Sequence, residues 1–235
     1  MSAIFAGHVR AAMARPGGGL SPVAETREDS DVAIAKVGER AVAFPLGPPE
    51  HRAIAIAALP DGRVVRRLPL PGGLIESLAA SSDGSRLFYV SGHQVWSVPA
   101  EGGEAKKIGE GDSVASGEGE LIVKLNGQDG FHLARLPWDG GPATRIPVPA
   151  GAALTDPSLS PSAVAPDGRI LVQVNEPHVW FYRMAAVDPH TGRLDLIPVD
   201  YDGDVWYPGW TPDGKIIGVG MQYSAGLWRV RRHRP

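Results

Sequence analysis

The sequence predicts an all-β fold, a propeller of four-stranded antiparallel blades, of which about five are visible. Two interleaved series of turns and the composition lead there. One series carries Gly38, Gly84, Gly119, Gly168 and Gly214, in VGER, SDGS, GEGE, PDGR and PDGK, at spacings of 46, 35, 49 and 46 residues. The other falls between them, in LPDGRVV, VPAEGGEAKKI, LPWDGGPATRI and VDPHTGRLDLI, around Gly62, Gly102, Gly140 and Gly192. Two hairpins in roughly 40 to 50 residues make a four-stranded unit, the size of a propeller blade. The 235 residues include 30 Gly and 22 Pro, which suits many turns between short strands better than long helices.

In chain order, residues 1–31 read as a partial N-terminal blade. AGHVRAAMARPGGGLSPVAE, residues 6–25, aligns with SGHQVWSVPAEGGEAKKIGE, residues 91–110, which makes it a hairpin of third and fourth strands. Blades follow at about 32–70, 74–109, 112–148, 154–199 and 203–234, the last lacking its fourth strand. In each, an apolar run meets a turn of the first series and continues as an apolar or β-branched run. Asp tolerates such a turn and Gly supplies its positive φ. The two ends together hold about one and a half blades' worth of hairpin where one blade needs filling. Either five blades close with a spare N-terminal strand, or the chain is part of a six- to eight-bladed ring; the second reading is preferred.

One of these turns imitates a nucleotide site. GWTPDGKI, residues 209–216, nearly matches G-x-x-x-x-G-K-[ST], in which backbone N–H groups cradle phosphates and the last hydroxyl holds Mg²⁺. Ile216 stands where that hydroxyl belongs, Pro212 removes a backbone donor, and the following IIGVGMQ is a poor helix start. The same stretch recurs as AVAPDGRILVQV and LAASSDGSRLFYV, so Gly214 belongs to a repeated hairpin turn.

Composition sets the outer limits. At 43% hydrophobic residues the chain can bury a core, and a formal charge of −3 gives no reason to expect nucleic acid. The basic tail Arg229, Arg231, Arg232, His233, Arg234 reads as a solvated chain end. There is no cysteine, hence no disulfide framework and no thiolate site. No apolar run reaches the ~20 residues that span a bilayer. The start MSAIFAGHVRAAMARPGGG lacks the pattern of a secretory signal, which places the chain in the cytoplasm by default. With a segment upstream, a periplasmic or extracellular place is open.

APDGRILVQV, TPDGKIIGVG, HQVWSVPAEGG and AGLWRVRR resemble the TolB-like and WD-like β-propeller repeats of bacterial proteins. The match extends over nearly the whole chain, with the first and third blades keeping only the glycine and the apolar pattern. The resemblance implies fold more than function. Such repeats occur in periplasmic translocation proteins, in propellers covering oligopeptidase active sites, and as C-terminal sensor-like domains of bacterial serine/threonine kinases or transcription regulators. The blades here look most like the last group. H-R-D and D-F-G are both missing from the chain, so any kinase domain would lie upstream of it.

The candidate sites are loops. No G-x-S-x-G elbow exists, which leaves a serine hydrolase without its nucleophile. DYDGD places Asp200, Asp202 and Asp204 at alternate positions, as Ca²⁺ loops begin, but Val205 and Thr211 stand where the turning Gly and the bidentate Glu belong. No cofactor is expected, with Ca²⁺ as the weaker alternative. His51, His93 and His178 each fall between the second and third strands of a blade and read as independent turn histidines rather than a metal set. Trp96 and Trp228 occupy equivalent third-strand positions and should pack between blades. Trp206 and Tyr207 are adjacent on a strand, so only one of them can be core.

A ligand site is expected on the axial face, with Gln128, Glu176, His178, Asp202, Asp204, Tyr207 and Tyr223 at its rim. The expected function is a non-catalytic module binding a protein, a peptide or a small polar ligand. The alternative is a propeller lyase or lactone hydrolase with a divalent metal on Asp202, Asp204, Glu176 and His178.

Overall fold

The repeated Asp-Gly turns set the architecture. In the computed structural model Gly84 N–H donates to Ser81 O at 2.9 Å, Gly168 N–H to Ala165 O at 2.9 Å and Gly214 N–H to Thr211 O at 3.0 Å. The three glycines sit at φ of 72°, 85° and 76°, a region closed to most L side chains. The aspartates brace the turns: Asp83 accepts the Ser81 hydroxyl at 2.6 Å and Ser85 N–H at 2.9 Å, which hold its carboxyl down at about 2. Asp213 accepts the Thr211 hydroxyl at 2.6 Å in the same way. GWTPDGKI thus joins two strands, as turn chemistry requires.

The structure describes residues 2–5, 8–14, 20–22, 28–30, 33–48, 51–70, 73–149, 153–155, 159–175, 177–178, 181–201 and 203–222. The first sheet has three strands, β1 (Ser2–Phe5), β2 (His8–Ala14) and β3 (Leu20–Pro22). Four sheets of four strands follow. The first of these is β4 (Ala35–Val37), β5 (Ala41–Leu46), β6 (Ala53–Ala58) and β7 (Val64–Pro69). The second is β8 (Ser77–Ala80), β9 (Arg86–Ser91), β10 (Gln94–Pro99) and β11 (Lys106–Glu110). The third is β12 (Ser113–Ser116), β13 (Glu120–Gly127), β14 (Gly130–Pro137) and β15 (Thr144–Arg145). The fourth is β16 (Ala153–Leu154), β17 (Ile170–Asn175), β18 (Arg183–Val187) and β19 (Leu194–Leu196). β20 (Asp204–Trp210) and β21 (Ile216–Met221) form a two-stranded sheet.

Within each four-stranded sheet the strands pair antiparallel in chain order, which makes each a meandering blade. The first strands β8 and β12 touch, Ser77 Oγ accepting Val114 N–H at 3.1 Å, and Ser113 Oγ of β12 accepts the N–H of Leu159, between β16 and β17, at 3.1 Å. The first strands are therefore innermost. Sheet-on-sheet packing supplies the core, because second strands alternate apolar residues to both faces. Ile54, Leu78, Leu87 and Tyr89 join the first two blades; Phe88, Val95, Leu121 and Val123 join the second and third. Ile122, Leu133, Leu171 and Val172 join the third and fourth, with Trp210 and Ile216 of the two-stranded sheet packed on the same cluster. Trp96 stacks on Tyr89, ring centroids 6.3 Å apart, within the first of these contacts. The all-β propeller of about five blades is the observed fold.

Candidate functional site

The end of a blade where its first strand begins is also the end where its second strand turns into its third. The turns holding His51, His93, Gln128 and His178 and the segments entering β8, β12 and β20 therefore share one end of the blades. Gly92 and His93 form a two-residue hairpin turn with φ of 58° and 60°, the glycine-type geometry at both positions. This turn is tied to the next blade. His93 Nδ1 hydrogen-bonds Asp112 Oδ1, while Asp112 Oδ2 accepts Asn126 N–H at 2.6 Å and Gly111 N–H donates to His93 O at 3.1 Å. The bond to Asp112, its charge and that of Glu76 raise the His93 pKa above its ordinary value. His93 is exposed, so its Nε2 is left facing solvent.

Gln128 lies beside Asp129 at the tip of the β13–β14 hairpin, both exposed, between the paired Gly127 and Gly130. Asp129 is held below the usual carboxylate range by its own backbone N–H and by Arg145 at 3.3 Å. His178 is exposed at φ 68°. Asp204 is different: it is buried, and its Oδ1 accepts Tyr182 N–H at 2.8 Å, linking the fourth blade to β20. Asp200 is exposed.

Tyr207 owes its position to a bulge. Val219 pairs with Trp206 and Ile217 with Gly209, so β20 carries Tyr207 and Pro208 opposite the lone Gly218. The extra residue re-aims a side chain. Tyr207 takes φ 50° and is 45% exposed, whereas Pro208 is buried and Trp206 is half-buried with its ring edge-on to Tyr207 at 5.9 Å. His93, His178 and Tyr207 are the non-glycine residues with positive φ among the described residues.

Glu176, Asp202 and Tyr223, with Trp180 and Trp228, lie outside the described residues. No group of three His, Cys, Asp or Glu side chains is placed to hold a metal among the described residues. Asp112, the partner of His93, carries a signal in the sequence that composition and turn motifs do not show: Glu76-Ser77-Leu78-Ala79 and Asp112-Ser113-Val114-Ala115 repeat an acid and a serine at the entry of the inner strand.

No protein-family model matches the chain, and no curated protein matches it in sequence. Solved structures do match. TolB from Acinetobacter baumannii is 17% identical with a TM-score of 0.64, over 88% of this chain and 52% of that one. A TolB described as putative, from Agrobacterium tumefaciens, is 15% identical with a TM-score of 0.62, over 90% and 76%. An oligogalacturonate lyase in complex with manganese is 12% identical with a TM-score of 0.62, over 93% and 66%. The chain spans about half the length of the first of these structures. No described helix is long and apolar enough to cross a membrane. At such identities the likeness is one of architecture, and the chain folds as a TolB-like β-propeller.

Proposed function

We propose that this chain is a non-catalytic binding module, the sensor-like end of a larger bacterial protein, which takes a protein, a peptide or a small polar ligand on its axial face. Tyr207 carries the reading. A β-strand does not ordinarily place an aromatic residue at positive φ; this one is turned outward by a bulge in the innermost strand, beside Trp206. An exposed, conformationally constrained aromatic is the kind of anchor that binding faces use. Gln128, Glu176, His178, Asp202 and Tyr223 complete the proposed rim, and the Asp204 carboxylate supports it from within. A thermal-shift screen against peptides and polar metabolites tests this. Tyr207→Ala should keep the unfolding midpoint of the free protein and abolish the shift given by any hit. A hit that shifts the variant equally, or a variant that does not fold, removes Tyr207 from the site.

The oligogalacturonate lyase among the similar structures favours a second reading, a metal-dependent lyase or lactone hydrolase. It would use Glu176, His178, Asp202 and Asp204 as ligands, and Asp204 is already engaged with Tyr182 N–H. Metal analysis of protein purified without chelator separates the two readings. Less than about one-tenth of an equivalent bound ends the second.

A further inference from the structure

The innermost strand of the fourth blade is interrupted. Ala153 and Leu154 pair with Asn175 and Val174, Thr155 N–H donates to Gln173 O at 3.1 Å, and further along Val164 bridges Ile170, so the inner strand takes more residues than its partner to cover the same length. In the second and third blades the inner strands β8 and β12 pair along continuous runs of four residues. The detour leaves a small cavity where three blades meet. Lys124 and Leu133 of the third blade line it, with Thr155, Ser160 and Gln173 of the fourth and Pro208 of β20.

Leu154, Leu159, Leu171 and Val172 complete the cavity lining, so four polar side chains stand in an otherwise apolar setting. Lys124, Thr155, Ser160 and Gln173 are each more than nine-tenths buried. Lys124 Nζ donates to Thr155 O at 3.1 Å and lies 4.5 Å from the centre of the Phe131 ring. The Ser160 hydroxyl is 3.1 Å from that of Ser162. Gln173 Nε2 has no partner among the described residues, although it is 94% enclosed. An amide donor left unpaired in such a place costs about 1–3 kcal/mol, and native proteins rarely tolerate it. The space admits about one water-sized molecule, and a water needs two to four polar partners.

We infer that the cavity is a built hydration site, holding one buried water between Gln173 Nε2, Ser160 Oγ and the Lys124–Thr155 pair. The water ties the third and fourth blades together beneath Pro208. Because Pro208 roofs the cavity while Tyr207, its neighbour in the bulge, points outward, the hydration site also supports the backbone that presents Tyr207. The ligand is small, because the space admits about one water-sized molecule.

A crystal structure of the wild-type chain at about 1.5 Å, together with thermal unfolding of Gln173→Leu, tests this inference. A density peak within hydrogen-bond distance of Gln173 Nε2 is expected, and Gln173→Leu should lower the midpoint by about 2–4 °C. An empty cavity, or a Gln173 amide turned onto a protein acceptor, overturns the inference. So does a higher midpoint for Gln173→Leu, because removing an unpaired donor from a dry cavity is a gain. Should the variant fail to fold, the wild-type density decides alone.

Discussion

His93 shows how much one residue's surroundings change its meaning. From sequence, Gly92-His93 is only a tight turn; in the fold that turn reaches across a blade boundary to Asp112, with Glu76 nearby. Its folded-state pKa is raised above the ordinary 6.5. The stabilising contact is therefore fully present below about pH 6.5, as long as Asp112 is ionised, and is lost as pH rises through the higher folded value. Because the ring is exposed, the effect is small and sensitive to salt. His93→Asn keeps a residue that accepts positive φ but removes the titration. The midpoint gap between wild type and His93→Asn should be widest near pH 6 and close in alkaline buffer. A gap that widens with pH would show that the contact acts through neutral imidazole instead.

At the level of strands, the repeat was legible because turn glycines and apolar periodicity are local. Gly84, Gly168 and Gly214 specify their turns within four residues, and β9, β13 and β17 announce themselves as apolar runs. What joins the blades is non-local and was not legible. Ser77 and Ser113 read as ordinary strand residues until the fold sets their hydroxyls against Val114 N–H and Leu159 N–H of the next blade. The two irregular inner strands were likewise hidden, since neither TDPSLSPSAVAPDG nor VWYPGW states where its ladder breaks. That irregularity decides which of Trp206 and Tyr207 faces outward. Ser113→Ala tests the seam between the third and fourth blades. Ser113 is fully buried, so the change strands the Leu159 donor and should cost about 1–3 kcal/mol in urea unfolding. Ser85→Ala, at an exposed turn, should cost well under half of that.

Across the whole molecule, stability should be graded along the arc of blades. Blade proteins hold together chiefly through contacts between neighbours, so a unit covered on one face alone opens most readily. The second strands of the second, third and fourth blades, β9, β13 and β17, bury runs such as Leu87-Phe88-Tyr89-Val90 and Leu121-Ile122-Val123 against both neighbours. β21 occupies the same place in its sheet, and among the described residues the Ile216 side is the one that packs on the fourth blade. Ile217 is 63% exposed and Val219 54% on the other face. Local propensity alone would rank β21, rich in isoleucine and valine, beside β9, β13 and β17; burial ranks it below them. Amide hydrogen exchange distinguishes the two rankings. Exchange in β20 and β21 should be orders of magnitude faster than in β9, β13 and β17, with the β13 amides slowest, because Leu121 and Val123 pack in the cluster shared with the second blade and Ile122 in the one shared with the fourth. Equal protection throughout would mean that the Ile217–Val219 face is covered in solution, and protection that rises with protein concentration would identify a second copy of the chain as the cover. In either case the ligand search on the axial face would have to be carried out on that assembly, because Tyr207 sits on the same two-stranded sheet as the face in question.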